Sequence, residues 1–259
     1  MRRLLLTLEY DGTDFNGWQV QAEGRTIQGT LEEAVRKTTA EQVRVVGAGR
    51  TDAGVHAEGQ AAHFDTSSDL APARFLRALN FWLPGDVAVL DCREAAPDFD
   101  ARFSASSKLY RYRILRSRAP RPLRERSVLR QWRELDVQAM RECAAMLAGE
   151  HDFTSFASEH SESDSRVRRI LRSDLTKEGD ELHYLVEGGG FLYNMVRIIV
   201  GTLMEAGRGR ITPQGFAGIL AARDRKAAGP TAPARGLTLV KVNYPHDPRD
   251  AHGSLQSAS

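Results

Sequence analysis

Hydrophobic and polar positions divide the first hundred residues into six elements. Residues 3–10 are mainly apolar and partly alternating, which predicts a strand. Apolar residues recur along 27–39 at the i, i+4, i+7, i+8 spacing of one helix face. The remaining predicted elements are strands at 43–46, 60–65 and 87–90 and a helix at 72–82. Strand–helix–strand–strand–helix–strand is the split βαβ, or ferredoxin-like, order.

The second part of the chain approximates the same order. Strands are predicted at 109–115, 169–176, 181–187 and 237–244, and helices at 137–147, 191–206 and 213–223. We therefore predict an α+β fold of two ferredoxin-like halves, 1–104 and 105–246, followed by a flexible polar tail at 247–259. The halves are expected to form a mixed, mostly antiparallel sheet with helices on one face and a central active-site cleft.

Composition narrows the class of protein only slightly. The 259 residues carry a net charge of +2, but 31 of the 36 basic residues are arginines. Arginine pairs with phosphate and stacks on bases, so this excess suits RNA contact, and a GC-rich genome explains it equally well. The sequence lacks a membrane-length apolar run, and its two cysteines and scattered histidines predict no disulfide and no metal site. We expect a reduced, cytoplasmic protein.

The segment 47–56, GAGRTDAGVH, is the densest candidate for chemistry. A dinucleotide-binding turn is excluded because Asp52 occupies the third glycine position and would repel a pyrophosphate. A P-loop is excluded because no Gly-Lys-Ser/Thr ending follows. The segment therefore offers a carboxylate on a glycine-rich loop that another backbone approaches closely, or an aspartate that only completes its own turn.

Arginines accompany this carboxylate in two places. Arg50 lies two residues before Asp52, so both side chains leave one face of an extended segment, as a surface ion pair or as a phosphate or base contact. Arg197 lies on the apolar helix 191–206, in a strip with Asn194, Gly201 and Glu205. A buried arginine requires a carboxylate or phosphate partner, for which Asp52 is a candidate, unless the strip faces water. The glycines at 188–190 allow an anion cradle or a plain turn.

The segment 108–133 is strongly basic, with ten lysines or arginines against one acid, Glu125. Tyr110 and Tyr112 share one face of the predicted strand, and the arginines between them share the other. Aromatic rings interleaved with arginine are typical of an RNA-binding surface. A solvated basic face is the alternative.

Several motifs together resemble one family, the tRNA pseudouridine synthases of the TruA type. They are EYDGT with GWQ.Q, GRTDAGVHA, NFWLPGD, DARFSA with KLYRY, DFTSF, FLYNMVR.IVG and APARGL.L..V.Y. GRTDAGVH is highly specific for this family when it occurs together with the other motifs, and the motifs span the chain. One position departs from the family pattern, Ile198, where the family often carries asparagine.

The resemblance implies isomerisation of uridine to pseudouridine at positions 38, 39 and 40 in the anticodon stem-loop of tRNA. It also implies a homodimer, no cofactor, and a pair of ferredoxin-like halves with the active site between them. Asp52 falls on the family's catalytic aspartate and Tyr110 on its active-site tyrosine. Arg197 falls on the arginine that pairs with the aspartate, and Arg50 on the basic residue implicated in base flipping.

Two other classes of function are weighed against this one. A non-catalytic RNA-binding module would share the sheet and the basic segment, but it needs no aspartate on a glycine-rich loop with a buried arginine. A small-molecule isomerase or hydrolase would use Asp52 and leave the basic segment 108–133 without a role. Salt dependence of substrate affinity separates these classes, because phosphate contacts weaken steeply as salt rises.

Overall fold

The computed structural model describes residues 1–159 and 164–245. The chain divides into two compact units. The first comprises Met1–Ser107 and the chain from Leu239, and the second comprises Lys108–Thr238. The boundaries of the halves at 1–104 and 105–246 stay predictions, and the predicted tail at 247–259 lies outside the described residues.

Strands and helices follow one another nearly as the polarity pattern predicts. The first hundred residues contain β1 (Arg2–Tyr10), α1 (Ile27–Thr39), β2 (Val46–Gly47), β3 (His56–Thr66), α2 (Pro72–Trp82) and β4 (Val87–Ala95). The rest contains β5 (Ser107–Arg116), β6 (Leu129–Gln131), α3 (Val137–Ala145), β7 (Gly149–Asp152), β8 (Val167–Glu178), β9 (Glu181–Gly188), α4 (Met195–Gly207), α5 (Pro213–Ala222) and β10 (Leu237–Asn243).

Strand pairing is mostly antiparallel in both units. In the first unit β1 lies between β3 and β4 and is antiparallel to both, while β3 also pairs with β2 and β10. In the second unit the order is β5–β9–β8–β7, all antiparallel, and the short β6 is parallel to β5. The predicted α+β class with mixed, mostly antiparallel pairing is confirmed.

Two helices of the first unit begin and end at the predicted residues because their ends carry strong local signals. The Thr26 hydroxyl accepts a hydrogen bond from the Gly29 amide and begins α1. Ala40, in the left-handed region at φ 61°, ends that helix. Pro72 occupies the first turn of α2, where its missing N–H costs nothing.

Other predicted boundaries are wrong, and long-range contacts explain the differences. Only Val46 of the predicted strand 43–46 is in β2, because the Val45 amide donates to the Glu32 carboxylate instead of to a strand. Strands β3, β4 and β8 are longer than predicted, since pairing continues past the apolar positions. The short β6 and β7 have no clear alternation and were not predicted.

The fourth helix begins at Met195 and not at the predicted Phe191. Asn194 lies in the left-handed region at φ 60°, which a continuing right-handed helix excludes. The glycines at 188–190 are therefore separated from the helix N-terminus by a turn. From Ile198 to Gly207 every residue of α4 is buried, which confirms the predicted burial of this helix.

A backbone segment, residues 229–232, lies directly across α4. The Ala232 amide donates to the Arg197 carbonyl at 3.0 Å, and the Gly229 amide donates to the Thr202 hydroxyl at 2.9 Å. A Cβ on Gly201 would overlap the carbonyl oxygen of Pro230. Glycine at 201 therefore permits this contact, at the usual cost of glycine inside a helix.

The β8–β9 hairpin carries a buried carboxylate that anchors the basic segment. Glu181 is 3% exposed and accepts hydrogen bonds from Arg113, Arg124 and His183. Burial by itself would raise the pKa of the Glu181 carboxyl, but these hydrogen bonds outweigh it and lower the pKa to about 2.

Replacing Gly201 by alanine is expected to lower the free energy of unfolding by about 2 kcal/mol, because the new methyl group forces the helix away from the 229–232 segment. Gly218→Ala, inside α5, is the matched control, since a Cβ there meets no described atom within 4 Å. That control is expected to raise the free energy of unfolding by roughly 0.5–1 kcal/mol. Urea unfolding followed by circular dichroism measures both, and equal effects would contradict the close approach.

Replacing Glu181 by glutamine is expected to destabilise the chain by about 3 kcal/mol at pH 7, because the arginines lose a buried charged partner. The lowered pKa means that this stabilisation is present above pH 4.5 and is lost as the pH falls toward 2. The difference between wild type and variant in urea unfolding should therefore shrink between pH 5 and pH 3. A difference that stays constant over this range would exclude the charge as its cause.

Candidate active site

The loop that carries Asp52 is held against the segment that follows β1. The Trp18 amide donates to the Thr51 carbonyl at 3.0 Å, and the Gly54 amide donates to the Phe15 carbonyl at 3.3 Å. These bonds attach the backbone on both sides of Asp52 to one neighbouring segment. Asp52 itself is half-buried.

Two glycines in the neighbouring segment make room for the loop. A Cβ on Gly12 would overlap the Val55 carbonyl oxygen, and one on Gly17 would lie 2.7 Å from the Thr51 carbonyl oxygen. Gly17 also has φ +88°, a conformation that side chains rarely adopt. The expectation that another backbone approaches the glycine-rich loop closely is confirmed, and the glycines that permit this approach lie on the neighbouring segment.

A buried polar cluster supports the same loop from beneath. The Tyr10 hydroxyl and the Thr51 hydroxyl share a hydrogen bond of 2.9 Å, and the Gln60 amide group donates to the Gly49 carbonyl at 2.8 Å. Burial raises the pKa of Tyr10 to about 12, so this phenol stays protonated. Sequence reasoning missed Tyr10 and Gln60 as supports, because neither the type nor the spacing of these residues indicates which loop their polar groups contact.

Burial alternates along residues 50–52 of the loop. Thr51 is buried and its hydroxyl contacts Tyr10, whereas Arg50 is exposed and Asp52 half-buried. That alternation agrees with the predicted common face of residues 50 and 52. At the end of the loop, the Gly12 amide donates to Nδ1 of His56 at 3.1 Å.

Tyr110 lies in the second unit, on β5 opposite Val186 of β9. It is 7% exposed, and its ring meets the Phe191 ring edge-on, with centroids 5.1 Å apart and planes at 82°. Edge-to-face packing is a favoured arrangement of two aromatic rings, so Phe191 stabilises this position of the Tyr110 ring. The packing of Phe191 against Tyr110 was not predicted, because the position of Phe191 in a sequence motif does not indicate which side chain its ring contacts.

Arg197 lies in the first turn of α4, and two contacts fix its guanidinium. Nε donates to the Ala232 carbonyl at 2.8 Å, and Nη1 donates to Oδ1 of Asn194 at 2.8 Å. Burial raises the pKa of the Tyr112 phenol, and the nearby charges of Arg197 and Arg235 oppose that rise. The guanidinium is thus positioned by backbone and amide oxygens.

The part of the polar strip on α4 from Gly201 onward does not face water. Gly201 contacts the 229–232 segment, and Glu205 is 9% exposed and pairs with Arg208 and Arg210. Ile198, the departure from the family pattern, is 1% exposed and belongs to the core. An apolar residue suits that position.

In the basic segment 108–133, tyrosine and arginine side chains lie on opposite faces of β5, as predicted. Tyr112 is fully buried and Tyr110 is 7% exposed, so the two rings do not form a continuous stacking surface for several bases, while Arg111 and Arg113 lie on the other face. Arg113 pairs with Glu181, and other arginines of the segment pair with acids as well, namely Arg121 and Arg124 with Asp180 and Arg130 with Glu125. Much of the local charge is therefore engaged within the chain.

Within residues 1–159 and 164–245, His, Cys, Asp and Glu do not gather into any group of three able to hold a metal ion. Helices in this part of the chain are also too short or too polar to cross a bilayer. Cys92 and Cys143 are both buried, and burial raises the pKa of each thiol.

Comparison with known proteins identifies the family. A family model described as tRNA pseudouridine synthase matches residues 7–104 and 143–245. Relatives named tRNA pseudouridine synthase A are 48% identical in Exiguobacterium sibiricum (95% of this chain, 98% of the relative) and 48% identical in Halalkalibacterium halodurans (94% and 93%). A third, from Caldicellulosiruptor bescii, is 45% identical over 94% of this chain and 100% of the relative. Together with the glycine-framed aspartate, these matches show that the chain belongs to the tRNA pseudouridine synthase family, a family of isomerases.

Proposed function

We propose that this chain converts uridine to pseudouridine at positions 38, 39 and 40 in the anticodon stem-loop of tRNA. The observation that carries the proposal is Asp52 on a rigidly held glycine-rich loop, in a chain that matches the family nearly from end to end. We further propose that it acts as a cytoplasmic homodimer without a cofactor, as the motif resemblance implies.

The reaction breaks the N1–C1′ glycosidic bond, rotates the uracil and joins C5 to C1′. The C5 proton is lost and N1 gains a proton, so substrate and product are isomers. We propose that the Asp52 carboxylate is the nucleophile, attacking either C1′ or C6 and dividing one difficult step into two. The backbone contacts on both sides of Asp52 support this role, since they limit its motion before attack.

Tyr110 and Arg197 are proposed to act on the same uridine. An aromatic ring held edge-on by Phe191 is suited to stack on the flipped uracil and to assist removal of the C5 proton. A phenol of ordinary pKa is a poor base, so it needs a second group for that step. Arg197, oriented by Ala232 and Asn194, is proposed to keep the nucleophilic carboxylate ionised, and Arg50 to assist base flipping.

Asp52→Asn and Asp52→Ala are expected to bind tRNA and to form no pseudouridine, because neither side chain is a nucleophile. Tritium release to water from tRNA labelled at uridine C5 measures the reaction. Asp69→Asn, which removes an exposed carboxylate of the same unit, is the matched control and should retain full activity. Substantial turnover by the Asp52 variants would refute the catalytic assignment, and no release by wild type despite tight tRNA binding would favour a binding module.

Arg197→Leu is expected to reduce kcat by at least about 100-fold, the size of effect typical when a charged group acting in the transition state is lost. The unfolding free energy should change by only about 1 kcal/mol, since the hydrogen bonds to Ala232 and Asn194 are partly exposed. Arg208→Leu on the same helix is the control, because Arg210 still pairs with Glu205. Unchanged turnover in Arg197→Leu would show that this arginine only supports the fold.

A further inference from the structure

Helix α2 presents to solvent a face that combines two arginines with an aromatic ring. Arg74, Arg77 and Phe81 follow one another at spacings of three and four residues, which places them on one side of the helix. All three are exposed, and Phe81 is 77% exposed, whereas Phe75 and Leu79 on the opposite side are buried in the core. The helix thus offers an open ring in line with two guanidinium groups.

The exposed ring of Phe81 belongs to a larger aromatic patch. Trp82 is 44% exposed, and its ring meets that of Phe81 edge-on, with centroids 4.9 Å apart and planes at 81°. Nζ of Lys37, on α1, lies 5.3 Å from the centroid of the Trp82 ring. A single exposed apolar side chain is ordinary, but two adjoining rings bordered by cations form a surface suited to a partner.

The two arginines on this face are available to an anion. In the part of the chain that the structure describes, neither the Arg74 nor the Arg77 side chain forms an ion pair or a hydrogen bond. Helix α2 itself contains no acidic residue. Arg36 on α1 shows the contrast, because it is paired with Glu33 at 2.7 Å. A phosphate can therefore bind the arginines of α2 without displacing a carboxylate.

The C-terminal end of α2 lies near the loop that carries Asp52. Tyr10, the last residue of β1, pairs with Ala57 of β3 on one side and with Val87 of β4 on the other. Since neighbouring strands are about 4.8 Å apart, the first residues of β3 and β4 are about 10 Å apart. The turn 83–86 joins α2 to β4, so the exposed rings and the Asp52 loop lie at the same end of the first unit.

Side-chain and backbone contacts hold this end of α2 in place. The Asp11 amide donates to the Asp86 carbonyl at 3.0 Å, and both carboxylate oxygens of Asp86 accept hydrogen bonds from Arg25 at 2.7 Å. The Asn80 side chain accepts from the Val89 amide and donates to the Val89 carbonyl, each at 2.8 Å. These bonds fix the position of the exposed rings relative to β1 and β4.

We propose that Arg74, Arg77 and Phe81 bind the tRNA close to the target uridine, with the arginines on backbone phosphates and Phe81 stacked on an unpaired base. The inference rests on the proposed function, which supplies tRNA as the ligand, and it adds a contact surface that the motif resemblance did not assign. Aromatic rings stack on unpaired bases of any sequence, and guanidinium groups donate parallel hydrogen bonds to phosphate oxygens. A two-fold contact between copies of the chain would instead bring the same arginines against each other.

The affinity test measures binding of a fluorescein-labelled, unmodified tRNA transcript by anisotropy over a series of salt concentrations. Phe81→Ala is expected to raise Kd roughly tenfold and to leave the salt dependence unchanged, since the stacking ring carries no charge. Arg74→Gln and Arg77→Gln are each expected to raise Kd. Each should also make the slope of log Kd against log salt shallower by about 0.7 to 0.9, which corresponds to the loss of one phosphate contact.

Matched variants separate RNA contact from effects on the fold or on total charge. Phe81→Tyr keeps an aromatic ring and should bind tRNA within about twofold of wild type. Arg44→Gln removes an exposed arginine of the first unit outside α2 and should leave the salt slope unchanged. The kcat for tritium release should stay within about twofold of wild type in every variant, because the contact is made equally in substrate and transition state. Melting temperatures show which variants fold, and if an arginine variant does not, the Phe81 pair decides the question.

A photocrosslink identifies what occupies this face. The full-length protein with p-benzoylphenylalanine in place of Phe81 is expected to crosslink to tRNA when the complex is irradiated. Crosslinking to a second copy of the protein instead would overturn the proposal and assign the face to an interface between copies. An unchanged Kd in folded Phe81→Ala, or equal salt slopes in Arg77→Gln and Arg44→Gln, would overturn it as well.

Failure of the proposed function gives a different result. Wild type would then bind tRNA without releasing tritium, and the anisotropy and crosslinking measurements would still decide whether this face contacts the RNA. A wild type that does not bind tRNA would overturn both proposals.

Discussion

The close contact between the Asp52 loop and the segment after β1 is the constraint on which the first unit's chemistry depends. A carboxylate on a loop rich in glycine would otherwise sample many conformations, because glycine loses more freedom on folding than any other residue. Backbone hydrogen bonds from Trp18 and Gly54 remove that freedom, and Thr51 is further held by Tyr10. The backbone around Asp52 is therefore organised before any substrate arrives, which suits the nucleophilic role proposed for this residue.

In the second unit, too, a glycine permits the close approach of a backbone segment, here against helix α4. Gly201 lets the 229–232 segment lie against α4, and a carbonyl of that segment accepts the hydrogen bond that orients Arg197. In both units a glycine gives up local stability so that a backbone group can approach and hold a functional side chain. A bulkier residue would separate the backbones and release the charged group from its orientation.

Charge density and charge availability are different properties, and the second unit shows the difference. The segment 108–133 is the most basic stretch that composition reveals, yet Arg113 and Arg124 are held by the acids of the β8–β9 hairpin. A guanidinium that already has a carboxylate partner must lose that partner before it binds a phosphate, so a high local density of arginine does not by itself make an RNA-binding surface.

Local patterns in the sequence were sufficient to predict the bounds of those elements whose ends carry capping residues. The predicted bounds of α1 and α2 agree with the structure to the residue. Thr26 and Pro72 begin these helices through interactions within a single turn of the chain. The motifs likewise identified the family, because a motif is defined by residue type and spacing, and both can be read from the sequence without knowing any contact. Only the tertiary structure determined the late start of α4, the supports of Asp52 and the partners of each arginine. These depend on residues distant in sequence, whose proximity arises from packing and leaves no periodic trace along the chain.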